Sequence, residues 1–340
     1  MLTKLYKEAN THIQAASHIV VVQAENPDGD SLGSSLALEA VFSELGKKVT
    51  LYCAIEIPKY LRYARGWDRV QDEFPKDADL TVIVDTASSA LLERALAPEN
   101  LARITANPVI VLDHHATVGD LQFDHVSINN PKAVATGELI YYMAKELDWP
   151  LPADACENLA LSILADSLGL ITEATSAQSV RAVAGLIEGG AKLSDIENRR
   201  REFMKKSAEI LAYKGRLLQR IEYYADGALA LVHIPWDEIH DFSNQYNPSV
   251  LVLDEMRLVE GVRLAIAIKT YPDGKITGKL RANPDAKIAE TVAAYFGGGG
   301  HPYAAGFKIF GDTLEHVKVE LVGAVSKALQ DYDATQSKKP

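Results

Sequence analysis

Seven residues of this sequence have the types and placement to act together: Asp28, Asp30, Asp85, Asp113, His114, His115 and Asp166. All are short acids or imidazoles. In an extended segment residues two apart project to the same side, so Asp28 and Asp30 can aim two carboxylates into one cleft. Carboxylates that converge and stay ionised require a cation, because their mutual repulsion would otherwise protonate them. A divalent ion meets that requirement, and an oxygen-rich set with one or two imidazoles suits manganese or magnesium better than zinc. Two such ions about 3.5 to 4 Å apart would clamp an in-line attack on phosphorus and generate hydroxide near neutral pH. Each piece also has a plainer reading. NPDGD is a good turn, Asp85 before Thr-Ala-Ser can cap a helix, and Asp-His-His can be a solvated loop.

The surrounding elements favour the chemical reading. Apolar runs in HIVVVQA, KVTLYCA, LTVIVDT and PVIVLDHH alternate with amphipathic stretches such as LGSSLALEAVFSELG. Short continuous apolar runs between helical patterns predict buried parallel strands in an α/β sheet. Open parallel sheets gather their ligands beyond the carboxyl ends of the strands. Asp28 and Asp30, Asp85, and Asp113 with its histidines stand at three such ends, and Asp166 falls in a predicted helix able to cap the sheet. Residues from Ala133 to about Gly190 read as mostly helical, with Gly189 and Gly190 as a stop.

The fold class expected is therefore α/β with two domains. A parallel-sheet domain is expected over 1–190, a connecting helix or helix pair over 191–219, and a smaller α/β domain over 220–335. Strands of the latter are predicted at ALALVHI, VRLAIAIKT and KITGKLRA, with YPDG as a hairpin turn. Four glycines at 297–300 allow a backbone to approach a phosphate or sugar closely. His301 sits beside them, and Arg281 offers a planar fork that matches a phosphate. Taken alone, the glycine run also reads as a flexible turn.

Jointly the patterns resemble the DHH phosphoesterases, in particular the group with a C-terminal DHH-associated domain that includes nanoRNases, pAp phosphatases and RecJ-like exonucleases. NPDGDSLGS resembles that family's first motif, VIVDTA its second, VLDHH its third and ILADSLGLIT its fourth. GGGGHPYAAGF and KLRA are similar to the nucleotide grip of the associated domain. The resemblance implies Asp28, Asp30, Asp85, His114 and Asp166 as metal ligands, with Asp85 bridging two ions. It implies that Asp113 orients a histidine, that His115 faces the scissile phosphate, and that Arg281, Gly298, Gly299, Gly300 and His301 hold the nucleotide. Thr136, Gly137 and Glu138 resemble the family's turn into a helix near the substrate, and equally read as a plain helix start. One departure stands out: the histidine that opens the family's first motif is Ala24 here. Gln23 and Glu25 would point to the opposite face of an extended strand, and His125 is the remaining nearby imidazole.

The cofactor expected is one or two Mn2+ ions, with Mg2+ as the alternative. The net charge of −11 opposes a long duplex as partner. A short single-stranded RNA or DNA, or a mononucleotide such as pAp, needs few phosphate contacts and fits better. No apolar run is long enough to span a membrane, so cytoplasmic localisation is the default. Homodimerisation is only the general prior for soluble enzymes. Cys53 and Cys156 lie outside any metal-binding spacing and read as small core residues. Two rivals remain open: a nucleotide-binding regulatory protein that lost turnover with the histidine at position 24, and an inorganic pyrophosphatase, against which the glycine run argues.

Overall fold

The structure, a computed structural model, describes residues 2–116, 119–243 and 245–337. Two compact units divide the chain, Met1–Lys205 and Lys206–Pro340.

The first unit runs α1 (Leu2–Ala15), β1 (His18–Val22), α2 (Gly29–Glu44), β2 (Lys48–Tyr52), β3 (Leu80–Val84), α3 (Pro98–Thr105), β4 (Val109–Asp113), β5 (Val126–Asn129), α4 (Thr136–Glu146), α5 (Ala153–Asp166), α6 (Ala177–Glu188) and α7 (Leu193–Phe203). Its five strands are all parallel, in the order β2-β1-β3-β4-β5. Strand β1 is buried on both faces because its alternating side chains serve two cores. Ile19 and Val21 join one with α2, α4 and α5, while Val20 and Val22 join another with Ile104 of α3. Burial of each such side chain stabilises the fold by about 1.5–3 kcal/mol, which makes the sheet centre the rigid base for whatever its strand ends carry. Strand order reverses between β1 and β3, the place where such sheets form a crevice. Both cysteines are buried in the first of these cores.

The second unit runs α8 (Ala208–Gln219), β6 (Glu222–Tyr224), β7 (Leu229–Ile234), α9 (Trp236–Phe242), α10 (Pro248–Arg257), β8 (Leu264–Thr270), β9 (Lys275–Ala282), α11 (Ala289–Tyr295), β10 (Gly299–His301), β11 (Ala304–Phe310) and α12 (Leu314–Gln336). Its mixed sheet has the order β10-β11-β9-β8-β7-β6, with β7 and β8 parallel and the rest antiparallel. Tyr271 to Gly274 form the turn between β8 and β9, where Gly274 takes φ 75°.

Segment 191–219, read from the sequence as a connection, consists of two helices packed into different cores. Ile196 of α7 is buried in the first unit, while Ile210, Tyr213 and Leu217 of α8 are buried in the second. Charge on their outer faces hid these apolar anchors. The glycine run also differs from a plain turn, since Gly299 and Gly300 belong to strand β10.

Candidate metal centre

Asp28 and Asp30 enter the site at the start of α2. Asp28 is its N-cap, with Oδ1 accepting from the backbone N–H groups of Asp30 and Ser31, each at 3.0 Å. Asp30, one residue into the helix, is fully buried. Its Oδ1 accepts from Ser34 Oγ at 3.0 Å, Ser162 Oγ at 2.5 Å and the Gly137 N–H at 3.2 Å. Its Oδ2 accepts from the Thr136 N–H at 2.7 Å. Four donors, two of them from the N-terminus of α4, fix this carboxylate in one orientation. Close helix packing makes that arrangement feasible: a Cβ at Gly137 would lie 1.9 Å from Ser162 Oγ, so only glycine lets α4 approach α5.

Asp85 follows β3 in a left-handed conformation, φ 62°. Its N–H donates to the Leu112 carbonyl at 2.8 Å, and its Oδ1 accepts from Thr136 Oγ1 at 3.0 Å. Such a backbone costs a non-glycine residue roughly 1–3 kcal/mol, and concentrates at functional sites. Burial, then the charges of Asp30, Asp28 and Asp166, push the Asp85 carboxyl well above the usual range. Burial likewise raises Asp28, helped by Asp30 and Asp166 against the opposing Ser31 hydrogen bond.

Asp113 closes β4, and its Oδ1 accepts from the N–H groups of His114 and His115 and from His115 Nδ1 at 2.7 Å. Burial alone would raise this carboxyl, but the His115 contacts hold it below its ordinary value. The same hydrogen bond raises His115. His114 Nδ1 donates to the Ala133 carbonyl at 3.2 Å, which turns Nε2 toward three carboxylates: Asp166 at 3.2 Å, Asp30 at 3.5 Å and Asp85 at 3.6 Å. Burial pulls the His114 imidazole down, yet these anions prevail and push it up to about 9.

Two donor sets result, Asp30 with His114 and Asp166, and Asp85 with His114 and His115. A divalent ion fits them on the structure's own terms. His114 Nε2 is buried and, despite its proximity to three acids, makes no hydrogen bond of acceptable geometry. On top of burial, Asp30 and Asp166 push the Asp85 and Asp28 carboxyls up, which is the frustration a cation relieves. Asp28 lies near enough to feel Asp30 and Asp166 but belongs to neither set. Ala24 is buried, Glu25 is turned to the backbone N–H of Ala95 at 3.2 Å, and His125 Nδ1 contacts the Phe123 carbonyl at 2.7 Å. Neither Glu25 nor His125 belongs to either donor set. Ser34 and Ser162, unmarked in the sequence reading, lie one helical turn from Asp30 and Asp166, a spacing that brings them beside the site but that a solvated serine shares.

Residues 18–165 match the DHH family, N-terminal domain. The chain carries a DHH-family domain. It is 24% identical over 334 residues to the bifunctional oligoribonuclease and PAP phosphatase NrnA of Thermus thermophilus, covering 97% of this chain and 94% of that protein. An exopolyphosphatase-related protein from Bacteroides fragilis has the same fold, with TM-score 0.82 and 20% identity over 98% of each chain. RecJ from Thermus thermophilus, solved in complex with Mn2+, matches with TM-score 0.52 and 16% identity over 96% of this chain and 54% of its own. The DHH resemblance drawn from the motifs is thus matched by the DHH N-terminal domain over residues 18–165, and the α/β fold with a parallel first sheet and a mixed second sheet is the one expected. No helix among the described residues is long and apolar enough to cross a membrane.

In the second unit, Arg281 on β9, Ala304 on β11 and His301 on β10 form one row across three strands. A Cβ at Gly298 would meet Gly306 O at 2.2 Å and one at Gly300 would meet Ala304 O at 2.6 Å, so strand pairing itself requires both glycines. Gly299 has nothing within 4 Å of its notional Cβ.

Proposed function

We propose that this chain is a divalent-metal-dependent phosphoesterase that hydrolyses very short oligonucleotides and pAp-type nucleotides, with manganese as the working ion. The NrnA relatives are named as oligoribonucleases and PAP phosphatases, both hydrolases of phosphoester bonds, and the chain is a hydrolase of that class. The observation that carries the reading is the convergence of Asp30, Asp85, His114, His115 and Asp166 around the unpartnered His114 Nε2. Divalent ions held there supply Lewis acidity toward a phosphoryl oxygen and acidify a water.

The chain's own residues then divide the work. Asp30 and Asp166 with His114 would hold one ion, and Asp85 would reach toward a second. Asp113 fixes the His115 ring through Nδ1, leaving Nε2 to face the scissile phosphate and share its negative charge. Beside His115 lies a small pocket lined by Thr86, Ala87, Ser88, Leu91 and Gly119. Arg281, His301 and the open backbone at Gly299 grip the nucleotide in the second unit.

The test is product analysis of metal-stripped protein, with and without Mn2+, on pAp and 5′-labelled very short RNA, with Asp85→Asn as control. Manganese-dependent release of mononucleotide or phosphate, lost in the control, is the expected result. Tight binding of both ligands with no turnover would leave a nucleotide-binding regulatory protein instead.

A further inference from the structure

The two faces of the second unit's sheet are unequal. One is covered across its width by α11 and α12 over Ile276, Leu280, Ala305 and Phe307. On the other, α8, α9 and α10 pack over β7 and β8, burying Ala265 and Ala267. Directly paired residues of adjacent strands share a face, so the pairing register defines what lies beyond that cover. One row reads Lys269, Thr277, Lys308; the next Ala267, Lys279, Gly306, Gly299; the third Ala265, Arg281, Ala304, His301. The result is a shelf with small residues on its floor and cations along one side.

Those cations are unusual for a chain whose net charge is −11. Lys269, Lys279 and Arg281 are only half-exposed, yet no ion pair joins any of them to a carboxylate among the described residues. Lys269 Nζ donates to Asn247 Oδ1 at 3.0 Å and Arg281 Nη1 to its neighbour's carbonyl, Leu280 O, at 2.9 Å. Asp254 of α10 acts on Lys279 and Arg281 from a distance, but sits 3.6 Å from Arg257. Burial first, and then repulsion from Lys279, lowers Lys269; burial and Arg281 lower Lys279 in the same way. Like charges held together without a counter-charge destabilise the free protein, and an anion would relieve them. Gly299 lies in the Lys279 row, and unlike at Gly298 and Gly300 a Cβ there would meet no atom of the described residues within 4 Å, so the shelf is open at this point.

We propose that Lys279 and Lys269 form a second phosphate subsite beside Arg281, which selects nucleotides carrying more than one phosphate, a nucleoside 3′,5′-bisphosphate or a short oligonucleotide, over mononucleotides with one. This rests on the reading that the chain acts on such nucleotides.

The test is titration of the full chain in chelator with pAp and with AMP, at several salt concentrations, for the unaltered protein and for Lys279→Gln, Lys269→Gln and Lys279→Arg. Each glutamine variant is expected to weaken pAp binding about tenfold and AMP binding less than about twofold. It should also flatten the dependence of log affinity on log salt, while Lys279→Arg keeps the slope. Equal losses for pAp and AMP, unchanged pAp affinity in both glutamine variants, or no pAp binding by the unaltered chain would each overturn the subsite. Hydrolysis assays on the same proteins separate the two readings. Turnover without lysine dependence of binding removes the subsite and leaves the phosphoesterase, whereas lysine-dependent binding without turnover does the reverse.

Discussion

Removing the metal should make the chain's stability depend on pH through His114. An unfolded histidine titrates near 6.5, whereas the three acids around Nε2 push folded His114 up to about 9. The folded state therefore binds this proton more tightly. Its contribution is full below pH of about 6.5 and is lost as the pH rises through about 9. A difference of about 2.5 pKa units corresponds to roughly 3 kcal/mol, and for a domain of this size to a fall in Tm of roughly 6–12 °C. Asp85 adds to the same trend, because a carboxyl raised on folding also loses its stabilising proton as pH increases. Thermal melts of chelated protein between pH 6 and 10, beside His114→Gln, would measure this. The variant is expected to lose most of the slope. Saturating Mn2+ should abolish it as well, since ligation replaces the proton, and calorimetry at pH 7.5 in buffers of different ionisation enthalpy should then register release of about one proton per ion bound at His114. A flat melting profile in the chelated wild type, or metal binding without proton release, would refute the geometry argued for Nε2.

Asp113→Asn is expected to lower kcat about 10- to 100-fold with Mn2+ affinity within about twofold, because it loosens His115 without touching an ion; steady-state kinetics and metal titration separate the two. Thr136→Val removes the hydroxyl that donates to Asp85 but keeps the N–H on Asp30, so Mn2+ affinity should fall about tenfold and recover in Thr136→Ser, as read by Mn2+ electron paramagnetic resonance. Ala24→His should raise both metal affinity and rate if the centre is short of a ligand. Equal values in a metal titration and a rate assay would remove that account.

Much of the first unit was legible because β1, β3 and β4 are short apolar runs buried on both faces, and a parallel strand can end only where its crossover begins. Asp28, Asp30, Asp85 and Asp113 were therefore placed by strand ends alone. Ser34, Ser162 and the Thr136 hydroxyl were not, because serine and threonine on a helix carry no periodic signal that separates a carboxylate clamp from a solvated face. The second unit was less legible for a related reason. Strands β6 and β10 are three residues long, and β10 draws its pairing from backbone rather than from β-favouring side chains. The cationic shelf depends on register across β8, β9 and β11, and a one-residue slip would send each lysine to the opposite face.

Both donor sets draw on His114, and one imidazole nitrogen ligates one ion at a time. If Asp30, His114 and Asp166 take an ion first, the second set is left with Asp85 and His115, the latter already held by Asp113. Asp28 could strengthen it, but one of its oxygens caps α2. Position 24, where the resemblance implies an imidazole, is alanine here and offers no donor. On this geometry an ion would be expected to bind more tightly at the clamped Asp30 set than beside Asp85, and a metal titration resolving two affinities, the weaker one strengthened by Ala24→His, is the expected result.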